Sequence, residues 1–415
     1  MKPSLSVPSE GGVTSPLGFQ AGAAAAGIRE PDSDRLDVGL LYSELPCAAV
    51  ALFTTNRVQA APLALTRARL SKGEARAVVV NAGCANAGTG ARGLADAEAM
   101  ATLAARRLGI PAEEVMVAST GVIGRYLPME PIGRALASMS LSHRGGEAFA
   151  RAIMTTDTVP KSAAVAFEYR GSRYLVGGCA KGSGMIHPDL SSEANSPRAE
   201  ATMLAFLTTD TPLERAFLRD CLRRATDVSF NCLTVDGDTS PNDMVLLLAN
   251  GAAGGRPIDA DHPAAEGFLA ALTSLCQHLS RGLARDAEGA TRLIEVTVEG
   301  ARTPEDARLV ARAVARSMLV KAAVYGRDPN WGRVLTAAGY AGVEMREELC
   351  TLWLQDVCLF RQGEPLPFDE PALRAAMDAP EVRIGLDLGL GRGGATAWGS
   401  DLTEEYVRIN AEYTT

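Results

Sequence analysis

The sequence of 415 residues predicts an α/β fold of the layered α+β sandwich type, and three observations favour it. Short apolar runs alternate with stretches of helical spacing along most of the chain. No segment repeats at a fixed period, and the length leaves open one large α/β unit or two to three domains. Hydrophobic residues make up 47% of the chain but aromatic residues only 5%, so the core must consist mainly of Ala, Val, Leu and Ile.

Apolar runs in the first half predict buried strands at residues 48–53, 77–80 and 115–118. Strong helix formers at helical spacing predict a helix over residues 95–108, which Gly109 and Pro111 end. A hairpin is predicted over residues 163–176, with its turn at residues 169–172.

Amphipathic spacing in the second half predicts helices at residues 212–225, 264–281, 304–317 and 401–410. Apolar runs predict strands at residues 293–298, 352–360 and 382–388. Glu305 and Asp306 favour a helix start at residue 304, because carboxylates stabilise the positive end of a helix dipole.

Charge and composition exclude several classes of protein. The net charge is -8 and no run of Lys or Arg offers a phosphate-binding stripe, which argues against a nucleic-acid partner. No apolar stretch approaches the roughly 18 to 20 residues of a membrane span, and the N-terminus lacks a signal-type apolar region. The eight cysteines form no Cys-x-x-Cys pair, and with four scattered histidines no metal site is expected. A cytoplasmic enzyme is the expectation.

Residues 389–394, GLGRGG, match the pattern G-x-G-x-x-G after a strand. A dinucleotide site needs a helix N-terminus next, because the pyrophosphate binds to its free N–H groups. Here ATAWGSDL follows, which reads as extended chain, and too few residues remain for a βαβ unit. A Gly-rich hairpin is therefore predicted, and an NAD site is rejected.

Three other polar features have structural interpretations. Asp236, Asp238 and Asp243 lack the spacing of an EF-hand and predict a turn with side-chain-to-backbone hydrogen bonds. Cys84 has no evident basic partner and is expected to pack as a small residue in a tight turn. His187, which precedes a proline, is interpreted as a loop histidine rather than a general base.

Thr202 lies where a polar loop, residues 182–200, gives way to an apolar segment. A threonine at such a boundary is usually an N-cap. It could equally attack the carbonyl before it, so that hydrolysis of the resulting ester leaves Thr202 as a new N-terminus. Its α-amine, with an ordinary pKa of roughly 7.7 to 8.0, would then be the base beside its own hydroxyl. The residues alone leave both interpretations open.

Motifs along the chain resemble the ornithine acetyltransferase family in its own order, from about residue 11 to Thr415. They are GGVTSPLGFQAGAAAAGI, FTTNRVQAAP, VVVNAGCANAGTG, STGVIG, IMTTDTVPK, AKGSGMIHPD, ATMLAFLTTD, SFNCLTVDGDTSPND, YGRDPNWGRVLTAAGYAG and ATAWGSDLTEEYVRINAEY. The strings KGSGM, ATML and DPNWGR are the most specific. About ten residues close to SSEANSPRAE depart from the family by standing just before ATML.

The resemblance implies a layered fold similar to that of N-terminal nucleophile hydrolases, and a precursor cut between Ala201 and Thr202. It gives an α chain of residues 1–201 and a β chain of residues 202–415, which associate as a dimer of αβ pairs. It also implies that Thr202 takes the acetyl group of N-acetylornithine and passes it to glutamate, in the arginine pathway.

The resemblance further assigns the oxyanion hole to Thr120 and Gly121. Residues matching the family's substrate contacts are Thr155, Lys181, Thr202, Glu288, Asn410 and Thr415. Lys181 suits a carboxylate and Glu288 suits an amine. No cofactor or metal is implied, although acetyl-CoA is a candidate co-substrate.

Two other functions stay open at this point. One is a related threonine acyltransferase or amidase that acts on another N-acyl amino acid. The other is an uncleaved, non-catalytic protein that binds amino acids.

Overall fold

The computed structural model describes residues 4–6, 10–71, 74–191 and 203–412. The chain divides into two compact units. The first contains residues Met1–Asp227 and Thr239–Leu279, and the second contains Val228–Asp238 and Ser280–Thr414.

The first unit combines one sheet with six helices among its described residues. Its strands are β1 (Ser4–Ser6), β2 (Phe19–Ala24), β3 (Val38–Thr54), β4 (Glu74–Cys84), β5 (Val115–Val122), β6 (Lys161–Tyr169), β7 (Ser172–Lys181), β8 (Leu190–Ser191), β9 (Leu204–Thr209) and β10 (Met244–Ala249). Its helices are α1 (Ala61–Leu70), α2 (Gly90–Leu108), α3 (Met129–Ser138), α4 (Gly146–Ala152), α5 (Arg215–Asp227) and α6 (Ala265–Arg285), the last up to residue 279.

Strand β3 connects two halves of this sheet. The strand order is β1-β6-β7-β9-β10-β3-β4-β5, and β2 and β8 also pair with β3. The first part of β3, from Val38 to Tyr42, pairs antiparallel with β4, and the part from Ala48 to Phe53 pairs antiparallel with β10. The register is irregular between Tyr42 and Cys47, where the strand passes from one half to the other.

The two halves face each other across a common core. One cluster of buried side chains joins residues of β4 and β5 to residues of β9 and β10, namely Val78, Val80, Met116, Ala118, Leu204, Phe206, Met244 and Leu246. The alternate side chains of β4 and β5 point to the opposite face and pack against α2 and α3, as Ala77, Val79, Met100, Ala101, Ile132 and Leu136 do. This arrangement confirms the predicted layered α/β sandwich.

The second unit has a smaller sheet and five helices among its described residues. Its strands are β11 (Leu293–Ala301), β12 (Thr351–Leu354), β13 (Val357–Arg361), β14 (Glu364–Pro365), β15 (Glu381–Asp387) and β16 (Gly393–Ser400), in the order β14-β13-β12-β15-β11-β16. Its helices are α7 (Pro304–Arg316), α8 (Met318–Tyr325), α9 (Trp331–Gly339), α10 (Glu370–Ala376) and α11 (Glu404–Glu412).

Most predicted elements are confirmed, with shifted ends. The predicted hairpin is β6 and β7, and the helix predicted to end before Gly109 is α2, where Gly109 adopts a left-handed conformation at φ 67°. The strand predicted over residues 352–360 is wrong. It is the hairpin of β12 and β13, because Gln355, at φ 53°, reverses the chain in a two-residue turn.

The Gly-rich segment at residues 389–394 does not form the predicted hairpin. It connects β15 to β16, and these strands lie on opposite sides of β11, parallel and antiparallel to it. The extended chain predicted after it is β16, so no helix N-terminus follows that could hold a pyrophosphate. Within the described part of the chain, no helix is both long and apolar enough to span a membrane.

Substitution of Phe149, on α4, tests the core between the two halves. This side chain is fully buried, and its ring packs edge-on against that of Phe206 with the ring centroids 5.4 Å apart. We expect Phe149→Ala to lower the free energy of unfolding by about 3–5 kcal/mol, as large cavities in well-packed cores do. Tyr340→Ala is the matched control, because that aromatic ring is 61% exposed. Urea unfolding measures both variants, and equal losses would contradict the assignment of this core.

Candidate active site

Met203, the residue after the predicted nucleophile, is hydrogen-bonded through both its main-chain N–H and its carbonyl. Thr202, Ala201 and Thr415 lie outside the described residues, as does the inserted segment SSEANSPRAE apart from its first residue, Ser191, which ends β8. Met203 directly precedes β9 and is fully buried. Its N–H donates to Oδ1 of Asp243, and its carbonyl accepts a hydrogen bond of 3.0 Å from the N–H of Met244.

Lys181 and Thr120 meet inside the first unit. Lys181 is the last residue of β7 and pairs with Leu204, the first residue of β9. Its Nζ donates to Oγ1 of Thr120 on β5 at 3.2 Å, and the two residues are 2% and 1% exposed. The side chain therefore spans the two halves of the sheet. Two of the predicted site residues are brought together beside the start of β9.

Gly121 occupies a position that only glycine fits. Its φ is +128°, and a Cβ there would lie 2.3 Å from the carbonyl carbon of Gly83 on β4. The ends of β4 and β5 are further joined by Asn242, whose Nδ2 donates to the carbonyl oxygens of Ala85 at 2.7 Å and Ser119 at 2.8 Å. The main chain of Thr120 and Gly121 is thus held rigidly.

Thr155 is held through its main chain by two charged residues. Its N–H donates to Oδ2 of Asp157 at 3.1 Å, and its carbonyl accepts from the guanidinium of Arg35. Oδ1 of Asp157 also accepts from the N–H of Gly182 at 2.8 Å and from the ammonium of Lys161. Asp157 therefore connects Thr155 to the residue that follows Lys181.

Asp157 remains ionised in spite of its burial. Burial raises its pKa, but the ammonium groups of Lys161 and Lys181 and the N–H of Gly182 outweigh that effect and lower the pKa to about 2. Lys161 and Asp157 are 6% and 7% exposed. The cluster is a buried, charge-paired support for the end of β7.

In the second unit, Glu288 and Asn410 are in direct contact. Nδ2 of Asn410, on α11, donates to Oε2 of Glu288 at 2.8 Å, and Glu288 is 9% exposed. The next residue, Gly289, has φ +65°, and a Cβ there would lie 2.6 Å from the N atom of Tyr406. The loop that carries Glu288 therefore packs closely on α11.

Asp401 holds the residues just after this loop, and its charge also acts on the buried Lys321. Oδ1 of Asp401 accepts from the N–H groups of Thr291 at 2.8 Å and Arg292 at 3.0 Å. Lys321 is 4% exposed and donates to the carbonyl oxygen of Val235. Burial lowers the pKa of Lys321 to about 8, although the carboxylates of Asp236 and Asp401 oppose this. Asp236 also accepts from the hydroxyl of Tyr406 at 3.3 Å, and burial, with the charge of Asp236, raises the pKa of that hydroxyl.

The three polar features that were interpreted as structural largely have the predicted structures. The N–H of Asp238 bonds to Oδ1 of Asp236 at 3.2 Å in a turn, whereas Asp243 instead holds Met203. Cys84 is buried, donates to the carbonyl oxygen of Arg125 at 3.3 Å, and has a pKa raised by that burial. His187 lies in the loop after β7. Across the described ranges, no group of three or more His, Cys, Asp or Glu could hold a metal ion.

The supporting residues Asp157, Lys161, Asn242 and Asp243 were not predicted as part of the site. Their signal in the sequence is weak, because each lies at the start of a strand or within four residues before one, where a surface turn is the ordinary expectation. Only burial distinguishes them, and burial at a strand end depends on the opposing half of the sheet.

The buried ammonium of Lys321 makes the stability of the second unit depend on pH. Between pH 8 and 10.5 the unfolded chain still holds this proton while the folded chain has lost it. We therefore expect the free energy of unfolding, relative to a Lys321→Met variant, to rise with pH in this window, by at most about 1.4 kcal/mol per pH unit. Urea unfolding of both proteins on either side of pH 8 measures it, and parallel profiles would contradict the expectation.

Comparisons with known proteins identify the family. The sequence model described as the ArgJ family matches residues 20–415. The arginine biosynthesis bifunctional protein ArgJ of Symbiobacterium thermophilum is 52% identical over 407 residues, which cover 98% of this chain and 99% of that protein.

Solved structures also match. The crystal structure of the arginine biosynthesis bifunctional protein ArgJ from Bacillus halodurans is 44% identical with a TM-score of 0.50, and covers 51% of this chain and 100% of its own. The ornithine acetyltransferase of Mycobacterium tuberculosis, complexed with ornithine, is 42% identical with a TM-score of 0.42, and covers 45% of this chain and 100% of its own. The chain belongs to the ArgJ family of arginine biosynthesis enzymes.

Proposed function

We propose that this enzyme transfers the acetyl group of N-acetylornithine to glutamate, by way of an acetyl ester on Thr202. The observation that carries the proposal is the contact between Lys181 and Thr120 beside the start of β9, at 3.2 Å and out of contact with solvent. A cation and a hydroxyl meet there next to the segment that bears the nucleophile. Such convergence of polar groups in an apolar interior is typical of active sites.

The proposed chemistry begins with self-cleavage. The hydroxyl oxygen of Thr202 attacks the carbonyl carbon of Ala201, the C–N bond breaks, and the nitrogen takes up the hydroxyl proton. Water then hydrolyses the ester, which leaves a carboxylate on Ala201 and a free hydroxyl and α-amine on Thr202. The Bacillus halodurans chain supports this, because all of it corresponds to 51% of the present chain, which is close to the half that a cut between residues 201 and 202 would leave as one fragment.

Acetyl transfer then takes two steps. The hydroxyl of Thr202 attacks the acetyl carbon of N-acetylornithine, with its α-amine as base, and ornithine leaves with the proton. The amine of glutamate next attacks the acetyl ester, which releases N-acetylglutamate and restores the threonine hydroxyl. No cofactor takes part.

Thr120 and Gly121 are the proposed oxyanion hole for both tetrahedral intermediates. The close packing of Gly121 on Gly83 holds this main chain in place before substrate binds. Donors that need not reorganise stabilise the developing charge most, and the loss of one such donor typically costs about 10²–10³-fold in kcat.

The proposed substrate contacts follow the charges of the groups. Lys181 would bind the α-carboxylate of the substrate together with Thr155, and Asp157 holds the main chain next to both. Glu288, held by Asn410, would bind the side-chain amine of ornithine. The C-terminal residue, Thr415, would complete these contacts. A Lys on a carboxylate and a Glu on an ammonium are strong, charge-assisted pairs.

We further propose a second reaction, a cytoplasmic location and an assembly of the two chains. The word bifunctional in the names of the relatives suggests a second reaction, for which we assign synthesis of N-acetylglutamate from acetyl-CoA. All eight cysteines are free thiols, as expected of a cytoplasmic protein. The α and β chains are proposed to stay associated, as a dimer of αβ pairs.

Thr202→Ala should yield a folded chain of full length without acetyl transfer, because one hydroxyl performs both reactions. Thr202→Ser, which keeps a hydroxyl, is the matched control and should still be cut. Denaturing gel electrophoresis and an assay with N-acetylornithine and glutamate measure the two effects. Two fragments from Thr202→Ala would assign the cut to another residue, and retained turnover would remove Thr202 from the mechanism.

Ping-pong kinetics are expected, because ornithine must leave before glutamate reacts with the acetyl ester. Double-reciprocal plots for N-acetylornithine against glutamate should give parallel lines. Mass spectrometry should find one added acetyl group on the fragment that begins at Thr202 after incubation with the donor alone. Intersecting lines without that adduct would point to direct transfer between the two substrates.

A further inference from the structure

Asp243 holds the residue that follows Thr202 from the end of a neighbouring strand. It directly precedes β10 and is fully buried. Oδ1 of its carboxylate accepts from the N–H of Met203, and its own carbonyl accepts from the N–H of Thr54 at 3.0 Å. Asp243 is therefore fixed to β3 while it fixes the start of β9.

A carboxylate is a costly choice for this structural task. The parallel ladder of β9 and β10 begins with the pair of Leu204 and Met244, so the N–H of Met203 lies just beyond it. A neutral side chain such as Asn or Ser could accept that hydrogen bond at a smaller cost of burial. A carboxylate accepts more strongly and holds its donor more tightly, because charge-assisted hydrogen bonds are shorter and stronger than neutral ones.

We infer that Asp243 is the positioning residue of the Thr202 nucleophile, which it holds through the main chain of Met203; this inference rests on the proposed function. Peptide bonds are planar, so an anchor on the N–H of Met203 would also restrain the carbonyl and Cα of the residue before it. Self-cleavage and acetyl transfer both need the Thr202 oxygen close to a carbonyl carbon. A displacement of about 1 Å can cost about 10²-fold in rate.

Asp210 offers a matched control at the opposite end of the same strand. It directly follows β9, is 1% exposed, and its carboxylate accepts from the N–H groups of Leu17 at 3.1 Å and Leu175 at 2.9 Å. Both residues are thus buried carboxylates that bind main-chain donors. A strand of this length separates them by roughly 20 Å, so a change at Asp210 tests the loss of a buried carboxylate without a change at Met203.

The experiment compares Asp243→Ala, Asp243→Asn and Asp210→Ala in the full chain. Fragment formation during cell-free synthesis measures the rate of self-cleavage, and kcat and KM for N-acetylornithine are determined per cut molecule. We expect Asp243→Ala to slow cleavage and lower kcat by about 10²-fold, with KM within about threefold. Asp243→Asn, which keeps an acceptor without the charge, should recover about tenfold of each loss. Asp210→Ala should lower the unfolding temperature but leave both rates within about threefold.

Wild-type rates of cleavage and turnover in Asp243→Ala would overturn the inference, as would equal losses in Asp210→Ala. If the alanine variants are insoluble, Asp243→Asn is compared with Asp210→Asn, and indistinguishable rates would overturn it. A fall confined to the unfolding temperature would make Asp243 a purely structural residue. Failure of the proposed function is separate, because only that failure leaves Thr202→Ala cut or active.

Discussion

Lys181 places an ammonium group inside an apolar core, and that group must stay in contact with oxygen atoms. This requirement governs the arrangement of the first unit. A buried charge is tolerated only where it is paired and hydrogen-bonded. Lys181 achieves this because β3 bends between two half-sheets and so brings β5 opposite β7, with Thr120 at 3.2 Å. Asp157, which is ion-paired with Lys161, supplies a negative charge near enough for the ammonium of Lys181 to help lower its pKa. The layered fold is therefore what allows a charged group to lie in this interior.

The sequence predicted the layered class and most regular elements of this protein because those depend on local patterns. Apolar runs located parts of β3, β4 and β5, and Gly109 located the end of α2. The turn at Gln355 was missed because a glutamine, rather than Gly, Asn or Asp, occupies the left-handed position there. The Gly-rich segment was misjudged for a different reason. Whether two extended segments pair with each other or flank a third strand depends on tertiary order, which no local pattern carries.

The candidate site, like the fold, could be predicted only in part from the sequence. Resemblance of specific motifs identified the family and proposed Thr120, Gly121, Lys181, Glu288 and Asn410, and the structure finds two contacting pairs among them, Lys181 with Thr120 and Asn410 with Glu288. The residues that support them, such as Asp157 and Asp243, look like ordinary turn residues in the sequence. Their role depends on burial, and their burial depends on strands that are distant along the chain.

The position of β9 and β10 in the sheet order affects how a cut protein could refold and how long its folded state would last. Both strands lie between β7 and β3, so a cut before β9 would leave the first fragment with a gap in its sheet that only the second fragment fills. Each fragment alone would expose unpaired strand edges, which readily aggregate. The folded enzyme would then be an assembly that forms once, from an intact chain. After full denaturation its recovery would become a second-order encounter between two aggregation-prone pieces, so lifetime would be governed by the rate of unfolding rather than by an equilibrium.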